Sequence, residues 1–226
     1  MRKLFLLIVM VSYTTLSFAQ KDVTEFLGIP VDGSKSSMIQ KLKAKGFTYQ
    51  NYEGTDILKG QFNGIKSHIY IATNNNKVCR IMICDESSMD EGSIKIRYNR
   101  LCEQFKNNKK YVSFDNYIIP KEEDISFEMT VHNKKYDAIF YQLPKNIDTL
   151  SLQNKIKEDL LSKYTQEQLE NPTEEITNDI LHYTISVLTD LVIMKPVWFR
   201  IEELYGQYYI SLFYDNEYNR ANGEDL

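Results

Sequence analysis

Three histidines and three cysteines are the groups of this chain that could serve as base, nucleophile or metal ligand, and their spacing gathers none of them. His68, His132 and His182 each stand alone in their segments, without a second His, Cys or acid at metal-ligand spacing. His132 reads as a turn residue and His182 as a helix-flank residue. Cys79 and Cys84 lie five apart on one expected strand, so they point to opposite faces and cannot pair there; among apolar neighbours they read as small hydrophobes, as does Cys102. Gly28 to Ser36 approaches a phosphate-binding loop, but Ser34 stands where that loop needs Lys, and Ser34 reads better as a helix cap. Asp215-Asn216-Glu217-Tyr218-Asn219 alternates oxygen ligands as calcium loops do. The sixth position is Arg220, not Gly, and the twelfth is Leu226, not Glu, so the segment reads as a solvated polar tail. No G-x-S-x-G elbow occurs. No cofactor and no metal are expected.

What the spacing does gather is aromatic and cationic. Strand alternation sets Ile69, Ile71, Ile81, Ile83, Val197, Phe199 and Ile201 on one side of their strands. It sets His68, Tyr70, Arg80, Met82, Trp198, Arg200 and Glu202 on the other, with Tyr209 at the same end of the chain. Tyr, Trp and Arg bury large areas with little entropy loss and dominate binding hot spots. Tyr70, Arg80, Trp198, Arg200 and Tyr209 are therefore the candidate ligand-binding residues. The competing reading gives the same aromatics to cross-strand packing.

The elements that must position these residues follow from local signals. Met38, Ile39 and Leu42 recur at helical spacing after Ser34, and Gly46 ends that helix with Phe47 packing behind it. Strands are expected over 55–62, 65–73 and 77–84, turning at Asn63-Gly64 and Asn74-Asn75-Asn76. A helix over 93–105 then opens a second half. Strands at 124–131 and 136–143 form a hairpin around His132 to Lys135, and 197–204 with 207–214 form another at Tyr205-Gly206. Each half reads as a helix and then antiparallel strands, a diverged duplication of one α+β plan. Half one spans about 26–86 and half two about 93–214, within one mature domain of 20–226. A helical insertion at about 146–195 interrupts the second half. Leu152, Ile156, Leu160 and Tyr164 make one stripe, and Ile176, Ile180, Tyr183 and Val187 another, with Asn171 as cap and Pro172 in the first turn.

The address is set by residues 1–19. Arg2 and Lys3 lead an apolar run, Leu4 to Val11, and Ser17-Phe18-Ala19 offers small residues to a peptidase before Gln20. This is a secretory signal, and the mature chain is expected in the periplasm or outside the cell. The chain carries 27 Lys+Arg against 31 Asp+Glu, a net −4. Losing Arg2 and Lys3 with the signal takes the remainder two charges lower. With no long basic block, nucleic acid and anionic membrane are disfavoured as partners. No second apolar stretch approaches the roughly 20 residues that span a bilayer.

Three passages carry a resemblance: Phe26 to Gly33, the strand pair around Asn63-Gly64 through Lys77 to Cys84, and Trp198 to Ile201 through Tyr208 to Asn216. Together they resemble small exported proteins of Gram-negative gut-type bacteria, uncharacterised in activity, and no functional residue carries over. The repeated plan is similar to the tandem α+β fold of secreted β-lactamase-inhibitor-like proteins, in plan only; fold does not fix function. The expectation is a non-enzymatic binding protein that recognises an envelope protein or glycan. The alternatives are an envelope hydrolase whose site is assembled from distant residues, with His68 or His132 as base, and a structural envelope component.

Overall fold

Turn chemistry sets much of the fold. The computed structural model describes residues 21–145 and 148–221. The signal read from residues 1–19 and the first residue of the expected insertion, Asn146, lie outside the described residues. After a two-stranded ribbon, β1 (Glu25–Phe26) and β2 (Ile29–Pro30), the chain enters helix α1 (Lys35–Ala44) and the meander β3 (Thr48–Tyr52), β4 (Thr55–Phe62), β5 (Ile65–Asn74) and β6 (Lys77–Asp85). Helix α2 (Glu91–Asn107), β7 (Tyr111–Val112), α3 (Ile125–Val131) and β8 (Asp137–Gln142) follow. Helices α4 (Thr149–Leu161), α5 (Gln166–Glu170) and α6 (Glu174–Val192) lead to β9 (Pro196–Leu204) and β10 (Gln207–Asp215). Eight strands form one antiparallel sheet in the order β3-β4-β5-β6-β10-β9-β8-β7. The protein is an α+β protein.

Left-handed backbone at both turn residues makes the hairpins at Asn63-Gly64 (φ 52 and 77), Asn75-Asn76 (47 and 61) and Tyr205-Gly206 (53 and 74). Helix α1 is capped by Ser34, whose side chain accepts from the Ser37 N–H. It closes with Gly46 at φ 96, the Gly46 N–H bonded to the Lys43 carbonyl and the Phe47 N–H to that of Leu42. The Phe47 ring then lies on Gly60, where an added Cβ would sit 2.5 Å from Phe47 Cδ1.

Helices α1 and α2 cover one face of the sheet. Met38 and Leu42 of α1 are fully buried with Leu58 and Ile69. From α2, Tyr98 meets Phe199 edge-on at 5.1 Å, and Phe105 stacks on Phe140 at 4.9 Å. The residues assigned from sequence to this side, Ile69 through Ile201, are buried. A β-bulge in β6 is part of that outcome. Ala72 pairs with Arg80 but Thr73 with Val78, so the additional residue Cys79 returns Val78 to the core, where it is 0 % exposed.

Several expectations need correction. The segment 124–131 is not a strand: Ile125–Val131 form helix α3, so no hairpin closes at His132. Ile125, Phe127, Met129 and Val131 alternate as a strand would, but Asp124 caps a helix by accepting from the Phe127 N–H at 2.8 Å. Of those residues Ile125 alone is buried, while Phe127 and Val131 face outward. On its outer side β8 pairs instead with the two-residue edge strand β7. Strand β3 was not anticipated: its polar run Thr48 to Tyr52 is exposed throughout and joins the sheet through the Glu53-Gly54 turn. Helix α6 is capped by Thr173, not Asn171. Within the insertion the two expected stripes face each other, and Tyr164 Oη donates to Asp179 at 2.5 Å while Tyr183 Oη donates to Asp159. The opposite side of α6 leaves Leu181, Ile185 and Leu188 exposed.

Candidate functional site

The face of the sheet away from α1 and α2 carries a row of apolar side chains in register across five strands. Tyr70 (β5) pairs with Met82 (β6), Met82 with Phe213 (β10), Phe213 with Trp198 (β9), and Trp198 with Ile139 (β8). Trp198 stacks on Phe213 at 4.0 Å with the rings 15° apart. Phe213 is buried by its neighbours, whereas Tyr70, Met82, Trp198 and Ile139 are partly exposed.

Ion pairs border this row on both sides. Along one edge, Arg80 Nε and Nη2 donate to Asp215 at 2.6 and 2.7 Å, and the Trp198 indole N–H donates to the same carboxylate at 2.9 Å. Asp215 is 3 % exposed. Its hold keeps the Arg80 guanidinium more firmly protonated than usual. Along the other edge, Arg200 is held by its cross-strand neighbour Asp137 at 2.8 and 3.3 Å. Both cations reach the indole: Arg80 Cζ lies 5.4 Å and Arg200 Cζ 4.9 Å from the Trp198 ring centroid.

Three of the five residues proposed from sequence, Arg80, Trp198 and Arg200, line one cavity of about 540 Å³. Ile193 and Met194, just beyond α6, form part of its rim. Tyr70 lines an adjoining hollow with Arg80 and Met82. Tyr209 lines neither hollow; it stands opposite Glu202, further along the face. Burial pushes the phenols of Tyr70 and Tyr209 up, so both are neutral hydrogen-bond donors. Burial also raises the Glu202 carboxyl.

Asp215 and Asp137 were missed from sequence. Asp215 belongs to the segment read as a solvated tail, and that reading is overturned: Asp215 and Asn216 are buried, and Asn216 Nδ2 donates to the Val31 carbonyl at 2.7 Å. Alternation alone carried a partial signal, because Phe213 and Asp215 continue the parity of Tyr209.

The histidines separate. His132 pairs with Glu128 at 3.0 Å on exposed α3, and His182 is exposed on α6. His68 Nε2 lies 3.3 Å from Glu86 Oε1 without hydrogen-bond alignment. Its cross-strand neighbour is Cys84, whose Sγ is 3.5 Å from Ser211 Oγ. Burial pushes the Cys84 thiol up, the opposite of what a thiolate nucleophile needs. Among the described residues no three His, Cys, Asp or Glu side chains gather as a metal site, the cysteines are unpaired, and no helix is long and apolar enough to cross a membrane. Comparison with known proteins gives no matching family model, no matching curated protein and no matching solved structure.

Proposed function

We propose that this is a non-enzymatic binding protein, exported to the periplasm or beyond, whose open sheet face recognises an envelope protein or glycan. One observation carries the reading: an uncovered aromatic row whose central Trp198 is fixed by Phe213 and Asp215 and flanked by two pinned guanidiniums. A side chain already held in one rotamer loses little entropy when a partner covers it. The partly exposed indole supplies a plane for an apolar side chain or the C–H face of a sugar ring, and the ion pairs at its border leave polar edges for hydrogen bonds. Residues 1–19 support the address.

The same reading includes a diverged duplication. The sheet order supports it: each half adds strands inward from its own edge, and the last strands, β6 and β10, meet antiparallel at the centre. A helix precedes each set. The plan-level likeness to secreted inhibitor-like tandem proteins rests on that order.

The test uses the lone Trp of the chain. Partner binding at this face changes Trp198 fluorescence. Trp198→Ala, still folded, should lose at least tenfold in affinity for species captured from envelope extract. Equal capture by both forms refutes the reading. A hydrolase centred on His68, Glu86 and Cys84 is the second reading, favoured by their adjacency alone; ester or peptide hydrolysis abolished by Cys84→Ala would establish it.

A further inference from the structure

We propose that the cleft between the β1–β2 ribbon and the β7–β8 edge binds a small organic molecule through a phosphate or carboxylate group. The cleft has a volume of about 570 Å³ and lies apart from the aromatic row. In a chain of net charge −4, four lysines line it: Lys109, Lys110, Lys145 and Lys195. Two are spoken for. Lys145 Nζ donates to Glu25 at 2.5 Å, and the nearly buried Lys195 Nζ donates to Asp22 at 2.8 Å. Lys109 and Lys110 have no carboxylate partner among the described residues. They follow the end of α2, where a helix dipole presents only about half a negative charge. Two full positive charges outweigh it.

The floor of the cleft supplies neutral donors. Gln142 spends its amide completely: Oε1 accepts from the Glu25 N–H at 2.7 Å, and Nε2 donates to the Glu25 carbonyl at 2.7 Å and to Tyr111 Oη at 3.2 Å. Tyr111 and the nearly buried Tyr214, 5 % exposed, both line the cleft. Tyr111 Oη accepts from Gln142, which leaves its own O–H to donate from the floor of the cleft. Free ammonium groups at the rim, a spare phenol proton at the floor and no unpaired carboxylate form an oxyanion-binding arrangement. The cleft is far larger than one oxyanion, and Leu27, Leu143 and Pro144 offer apolar wall to the rest of a ligand.

Calorimetric titration of the purified protein with glucose 6-phosphate and with glucuronate, against glucose, tests the proposal and separates the two anion sources. One charged probe should bind and glucose should not. Lys109→Gln/Lys110→Gln, changed at exposed positions, should weaken that probe at least tenfold, and Tyr111→Phe should weaken it too. Trp198→Ala should leave it unchanged, so failure here and failure of the sheet-face reading are distinguishable. Absence of binding by both charged probes, or equal binding by the lysine double variant, overturns the proposal.

Discussion

Trp198→Ala should cost the fold at most about 3–5 kcal/mol, and the figure follows from where the ring sits. A fully buried aromatic hides roughly 150–250 Å², and the partly exposed indole about three-quarters of that. At roughly 25 cal/mol per Å² this gives about 3–5 kcal/mol, an upper estimate because the unfolded chain already buries some surface. The lost indole N–H adds little, because Asp215 keeps both bonds from Arg80 and is not orphaned. Phe199, on the next position and the opposite face, is 0 % exposed, so Phe199→Ala should cost about 3–5 kcal/mol through its cavity. Urea unfolding read by far-UV circular dichroism measures both, since the first variant lacks the only Trp. A domain of this size is expected to hold about 5–15 kcal/mol, so Trp198→Ala should still unfold cooperatively. Loss of the cooperative transition in Trp198→Ala would mean that Trp198 belongs to the core and that the open face is not a free surface.

Gly60→Ala should destabilise by about 1–3 kcal/mol, because its Cβ would meet the Phe47 ring at 2.5 Å; a neutral result in thermal denaturation would mean the ring can move aside. Glu202, raised by burial, contributes stability that is complete below the ordinary carboxylate range and lost as pH rises through its folded value. Glu202→Gln should therefore be more stable than the parent at pH 7, with the difference closing towards pH 4; a constant difference across that window would refute the argument. Native protein should react slowly with a thiol reagent at pH 8, since burial raises Cys79 and Cys84 and pushes Cys102 up to about 12. Unfolding in urea should release all three thiols, and prompt native reaction at Cys102 would contradict its burial.

What the chain made legible was local. Asn63-Gly64 announces its hairpin because both residues accept positive φ, Gly206 marks the other, and alternation then divides β5, β6 and β9 correctly into two faces. Local patterns failed where tertiary context decided. Thr48 to Tyr52 has no buried face, so no hydrophobic period marks β3. The alternation of Ile125 to Val131 is a strand pattern that the Asp124 cap and the burial of Ile125 turn into a helix. The site divided along the same line. Tyr70, Arg80, Trp198 and Arg200 could be assigned to one face from parity, but the carboxylates that hold the cations could not. Arg80 and Asp215 are 135 residues apart, and their meeting depends on the β6–β10 register, which no short-range signal encodes.

That register also decides how the open face can discriminate. Asp215 and Asp137 each pin a guanidinium with two hydrogen bonds, so an acidic partner must compete with a carboxylate already in place and gains little from the cations. The unsatisfied binding capacity of this face is the indole plane and the apolar row beside it. Affinity there should therefore change little as salt rises. The basic cleft is the converse case, with two lysines free of acidic partners, and probes bound there should weaken steeply over the same range. Titrations at 50 and 300 mM NaCl separate the two surfaces. Steep salt dependence of partner binding at Trp198 would mean that the Arg80–Asp215 and Arg200–Asp137 pairs open on contact, and that charge rather than aromatic area selects the partner.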